Sequence, residues 1–131
     1  MTEVYVDIGA ASIESGSSSS ADPEAVRALR HLSEAGVRIV LVRTGAAEPG
    51  DELKAIAEDI VRAVPDRPRG PSWYLTSDIV RCHGSSARLR TVLIGAAPPV
   101  GSVRRCDAVA RDVQAAAMEI LAADAMAPHR A

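Results

Sequence analysis

Three residues stand where apolar runs of the chain stop. Asp7 follows Val4-Tyr5-Val6, Thr44 follows Val37-Arg38-Ile39-Val40-Leu41-Val42-Arg43, and Asp78 follows Trp73-Tyr74-Leu75-Thr76-Ser77. A short run rich in Val, Ile and Leu reads as a strand covered by protein, and a charge at its end has to emerge at the rim of the sheet. Ligands bind at that rim in open α/β sheets. Asp7 is therefore the first place to expect chemistry, and two carboxylates and a hydroxyl from distant parts of the chain would share one site there.

The elements that must position them can be read in order. Glu3 to Gly9 is the first predicted strand. Ala10 to Ala21, with Gly16 and the serines 17 to 20, has no periodicity and is expected as a mobile loop beside Asp7. Asp22 caps a helix that has Pro23 at its first position, and Val26, Leu29, Leu32 and Ala35 form one apolar stripe before Gly36 ends it. Val37 to Val42 is the second strand. Asp51 to Val64 reads as one helix, because Leu53, Ile56, Ala57, Ile60, Val61 and Val64 recur at three- and four-residue steps, and Pro65, Pro68, Gly70 and Pro71 then impose a stiff loop. Ser72 to Thr76 and Arg90 to Ile94 are the third and fourth strands, with room between them for no more than two or three helical turns. Asp107 to Ala110 is a short fifth strand. A last helix runs from Asp112 to about Ala123, and Met126 to Ala131 is expected to fray.

Strands that alternate with helices require a parallel sheet with right-handed crossovers. The expected fold class is α/β, a three-layer α/β/α sandwich around a central parallel, Rossmann-like sheet, formed by one domain over residues 1–125. All strand C-termini then lie on one side, which brings Asp7, Thr44 and Asp78 to a common rim.

Composition removes several classes of function. With 15 basic residues against 17 acidic, and a net charge of −2, there is no field to draw the chain onto nucleic acid or a membrane surface. Aromatic residues are 2% of the sequence and Phe is absent, so base stacking has almost nothing to work with. No apolar run approaches the roughly 18 residues of a membrane span, and acidic Glu3 and Asp7 occupy the place of a basic leader, so a soluble, cytoplasmic protein is expected. Cys82 and Cys106 have no Cys-x-x-Cys or His-rich context and are expected as two reduced, partly buried thiols. His31, His83 and His129 show no partner spacing and read as surface residues.

Several of these stretches resemble the haloacid dehalogenase-like superfamily of phosphatases and related hydrolases. Pro23 to Leu29 and Gly36 to Thr44 look like that family's first helix and second strand, and Leu89 to Gly95 and Cys106 to Val109 look like its closing strands. The resemblance implies a sheet order of 5-4-1-2-3 or its truncation, with the Asp7 strand in the middle. It makes Asp7 the nucleophile of an Asp-x-Asp motif, but Gly9 stands where the second, proton-transferring Asp belongs. Loss of such an acid typically costs 10²–10⁴-fold. It also implies that Thr44, with neighbouring backbone N–H groups such as that of Gly45, grips phosphate, and that Asp7, the Gly9 carbonyl and Asp78 hold Mg²⁺. The usual second acid after Asp78 is absent. Arg69, Arg67 and Lys54 are open alternatives for the family's charge-shielding cation, the arginines being better placed.

Two functions from different classes follow. One is a small, capless, diverged hydrolase that is weak or silent toward phosphate esters, acting with Mg²⁺ on a small phosphorylated or otherwise activated molecule. The other is a non-catalytic binding or scaffold protein that keeps the fold for an unidentified protein partner. Gly9, the missing second acid and the lack of a clear lysine lean toward a weak or silent site.

Overall fold

The computed structural model describes residues 2–15, 18–43, 48–65, 68, 70–82, 88–95 and 106–126. Six parallel strands form its sheet: β1 (Glu3–Asp7), β4 (Arg38–Val42), β5 (Asp59–Val61), β6 (Ser72–Thr76), β7 (Leu89–Ile94) and β8 (Ala108–Ala110). Two more, β2 (Ser12–Ser15) and β3 (Ser18–Ala21), pair with each other alone. The helices are α1 (Pro23–Glu34), α2 (Asp51–Ile56) and α3 (Val113–Met126). The α/β class and the parallel sheet are as the alternation of elements required.

Helix α1 forms where its caps say it should. The Asp22 carboxylate accepts from the Glu24 N–H at 3.1 Å, Pro23 opens the helix, and Ala25, Val26, Ala28, Leu29 and Leu32 face inward. Ala35 lies outside the stripe, exposed at the C-cap, and Gly36 supplies the positive φ of +93° that ends the helix. In α3, Asp112 caps from just outside, its carboxylate accepting from Ala115 N–H at 2.8 Å. The helix continues to Met126, slightly beyond the expected end. Residues 127–131 lie outside the described residues.

Strand alternation sends neighbours to opposite faces. Val4, Val6, Ile39, Leu41, Leu75, Val92 and Ile94 pack with residues of α1, α2 and α3 into one aliphatic core. Tyr5, Val40, Val42 and Tyr74 form a second cluster on the other face, against Val61, Val64 and Leu89. The helical layer on the first face is thus built by all three helices, and no helix among the described residues packs into the second cluster.

Four expectations are corrected. The predicted helix Asp51–Val64 stops at Ile56, and Ala57 is already extended at φ −72°, ψ 137°. Ile60 and Val61 continue as β5, pairing with Leu41 and Val42, with Ile60 against the helical core and Val61 against the second cluster. A period of two replaces one of 3.6 because the free edge of β4 offers these β-branched residues a backbone ladder. The second correction follows from the first. The order is β5-β4-β1-β6-β7-β8, so β1 is central as expected, but its second neighbour is Ser72–Thr76 rather than Arg90–Ile94. Once β5 is counted as the third strand of the sheet, the order 5-4-1-2-3 is present, extended at one end by β8.

Third, the stretch Ala10–Ala21 is not a featureless loop. A short 3₁₀ turn, Ile8–Ala11, buries Ile8 and Ala11, the Ser12 hydroxyl donates to the Ile8 carbonyl at 2.6 Å, and β2 and β3 then pair from Ser12↔Ala21 to Ser15↔Ser18. The strand before it accordingly ends at Asp7, not Gly9. Fourth, Cys82 and Cys106 are joined in a disulfide, with their Cα atoms 4.9 Å apart, where two reduced thiols were expected. They are 24 residues apart in sequence, and only the side-by-side placement of β6, β7 and β8 brings the segment after one strand to the segment before another. No helix among the described residues is long and apolar enough to cross a membrane.

Candidate functional site

Asp7 is the last residue of β1, level with Val42 on β4, and only 3% exposed. Since Val6 pairs with Leu75, Thr76 stands level with Asp7 on the other side, and Tyr74 lies two residues back on the same face. Both hydroxyls point at the carboxylate. Tyr74 Oη donates to Asp7 Oδ1 and Thr76 Oγ1 donates to Asp7 Oδ2, each at 2.6 Å. Distances this short mark charge-assisted hydrogen bonds.

The Thr76 hydroxyl has one proton, which is committed to Asp7, so its lone pair takes the Asp78 N–H at 3.1 Å. Asp78 itself opens the 3₁₀ turn Ile79–Arg81 by accepting from Val80 N–H at 3.0 Å, and its other carboxylate oxygen lies 3.8 Å from Arg81 Nε. A relay therefore runs from the turn backbone through Thr76 to Asp7, and no buried side-chain N or O among the described residues lacks a partner.

The electrostatics follow from burial. Loss of hydration pushes the Asp7 carboxyl above the ordinary carboxylate range, while the Thr76 and Tyr74 donors and the Arg81 charge pull it back and the nearby Asp78 charge adds to the rise. Burial, with the carboxylate of Asp7 as acceptor, likewise drives the Tyr74 phenol upward. Asp7 is a desolvated carboxyl group held by two hydroxyls.

Asp7 and Asp78, singled out from sequence, do meet at one rim. Gly9 lies beside them in the turn after β1 and is exposed, and a Cβ added there would meet no atom within 4 Å. Thr44, Gly45, Arg67 and Arg69 lie outside the described residues. Lys54 sits in the last turn of α2, exposed. Sequence reasoning missed Tyr74, Thr76 and Arg81. The alternation of Tyr74 and Thr76 on one strand was a usable signal, but placing the Arg90–Ile94 strand next to β1 hid it.

Magnesium is the cofactor that the family resemblance implies, and it would have to share oxygens that already have donors. Both Asp7 oxygens already accept from hydroxyls and the Asp78 carboxylate is engaged by Val80 N–H and Arg81. Mg²⁺ demands close, near-octahedral oxygen ligands and gives up water reluctantly. A comparison with protein-family models and with curated proteins finds no match.

Proposed function

We propose that this chain is a divergent member of the haloacid dehalogenase-like fold whose site is weak or silent toward phosphate esters, and that it serves by binding rather than by turnover. The observation that carries this reading is the double hydrogen bond to Asp7. A carboxylate nucleophile has to present a free lone pair to phosphorus at about 3–3.5 Å. Here each oxygen accepts from a hydroxyl of β6, which lowers its nucleophilicity though a lone pair remains, and at 3% exposure the carboxyl gives phosphorus little room to approach. Gly9 adds a second defect, because an alkoxide leaving group would find no acid in the place the family uses.

The experiment is turnover of p-nitrophenyl phosphate, acetyl phosphate and an alkyl phosphate, with and without Mg²⁺, by the native chain, Asp7→Asn and Gly9→Asp. Rates at background are expected for all three chains. If the missing acid were the only defect, Gly9→Asp would raise alkyl phosphate hydrolysis by up to the 10²–10⁴-fold of general acid catalysis, and the open space at position 9 admits the side chain. Turnover in the ordinary range of about 1–10³ s⁻¹ that Asp7→Asn abolishes would overturn the proposal.

A further inference from the structure

The turn that carries Asp78 and Arg81 has almost nothing of its own to hold it in place. None of Ile79, Val80 and Arg81 is buried, and Val80 stands 81% exposed. Its internal bonds are those of a single 3₁₀ turn, Arg81 N–H to Asp78 O at 3.0 Å and Cys82 N–H to Ile79 O at 3.1 Å, with the Asp78 carboxylate holding Val80 N–H and lying near Arg81. Among the described residues, the Arg81 side chain reaches Tyr74, and the remaining ties to the rest of the protein are at its two ends. At the front, Asp78 N–H donates to Thr76 Oγ1. At the back, Cys82 is 1% exposed and covalently bound to Cys106.

Cys106 in turn is firmly placed. The next residue, Asp107, is pinned to β7 twice, its N–H donating to Thr91 O at 2.9 Å and its carboxylate accepting from Thr91 N–H at 2.8 Å. The disulfide therefore bolts a weakly held turn to the β7–β8 side of the sheet, and that turn supplies both the N–H that orients the Thr76 hydroxyl and the charge of Arg81 beside Asp7.

We infer that the Cys82–Cys106 bond is a redox latch on the Asp7 site. Oxidised, it holds the Asp78–Arg81 turn closed and Asp7 clamped. Reduced, it frees the turn, withdraws the Asp78 N–H from the Thr76 hydroxyl and the Arg81 charge from Asp7, and lets solvent reach the rim beside the carboxyl. The reductant is a dithiol. Its thiolate attacks Sγ of Cys106, the less buried of the two, and the Sγ–Sγ bond breaks so that Cys82 leaves as a thiolate and takes up a proton. The second thiol of the reductant then displaces Cys106 from the mixed disulfide. Two electrons enter the protein, two protein thiols form, and the reductant leaves as its own disulfide. The latch stands on the turn and its anchors and is independent of whether the site turns over any substrate.

The test is hydrogen exchange, read by mass spectrometry on the full chain before and after dithiothreitol, with β4 as the internal reference. Amides of residues 78–82 are expected to exchange about tenfold faster or more after reduction, as local opening of a weakly anchored segment should, while those of 38–42 stay unchanged. Cys106→Ser, which keeps the buried Cys82 side chain, should reproduce the reduced pattern without any reductant. Carbodiimide labelling of the Asp7 carboxyl should rise in the same samples. Equal acceleration in both segments, or unfolding of the reduced chain, would make the disulfide a general staple and overturn the inference. So would exchange in 78–82 that reduction leaves unchanged.

Discussion

The two faces of the sheet are built to different rules. On one, Val4, Val6, Ile39, Leu41 and Leu75 meet three helices and nothing polar is required of them. On the other, the sheet presents Tyr5, Asp7, Tyr74, Thr76 and Thr91, all buried, and each polar group must find a partner there. Tyr5 and Tyr74 make the point within that face, since they are register partners across β1 and β6. Tyr5 Oη donates to Glu3 at 2.9 Å toward the N-terminal end, and its phenol is pushed up to about 12, by burial first and by Glu3 second. Tyr74 donates to Asp7 at the opposite end. The first face stabilises by area and packing; the second holds carboxylates in place with hydroxyls.

If that division is right, the largest loss should come from the aliphatic face. Leu29 of α1 is completely buried there, and Leu29→Ala should cost about 2–5 kcal/mol in denaturant unfolding, as large-to-small changes in a closed core do. Tyr74→Phe should cost less, about 1.5–3 kcal/mol for a hydrogen bond to a charged group, and it should also move the Asp7 titration further upward, because the phenol is one of the groups holding it down. Carboxyl NMR would follow that shift. A larger stability loss from Tyr74→Phe than from Leu29→Ala would break the comparison, since the polar face would then be the one that carries the fold.

Asp7→Asn sharpens it with an effect of opposite sign. The folded-state value of Asp7 lies above its unfolded value near 3.9, so the native chain holds the proton more tightly. Stability associated with this group is fully present below that value and falls as pH rises through the folded value. The variant lacks this loss. It should therefore melt at a higher temperature than the native chain near pH 7, with the gap closing as pH is lowered toward 4. A melting temperature that drops at pH 7 would mean that the two hydroxyl bonds more than offset the desolvation of the charge.

Much of this was legible in the residues. The cap Asp22, the start of a helix at Asp112, the stop at Gly36 and the apolar runs of β1, β4, β6 and β7 are local patterns with local causes, and periodicity or cap chemistry reports them directly; the convergence of Asp7 and Asp78 on one rim follows from the parallel sheet those runs imply.

What only the tertiary structure decided depends on which strands are neighbours. Ile60 and Val61 satisfy a helical spacing as well as a strand, and the open edge of β4 settled the choice. That choice placed β6 beside β1, and only then could Tyr74 and Thr76 reach the two oxygens of Asp7. The disulfide has the same origin, because bond formation depends on a distance in space that a separation of 24 residues does not encode. Hydrophobic burial follows from each residue's own type and its period along the chain. Hydrogen bonds and disulfides need two partners at a defined distance, and that distance exists only after the strands have taken their order.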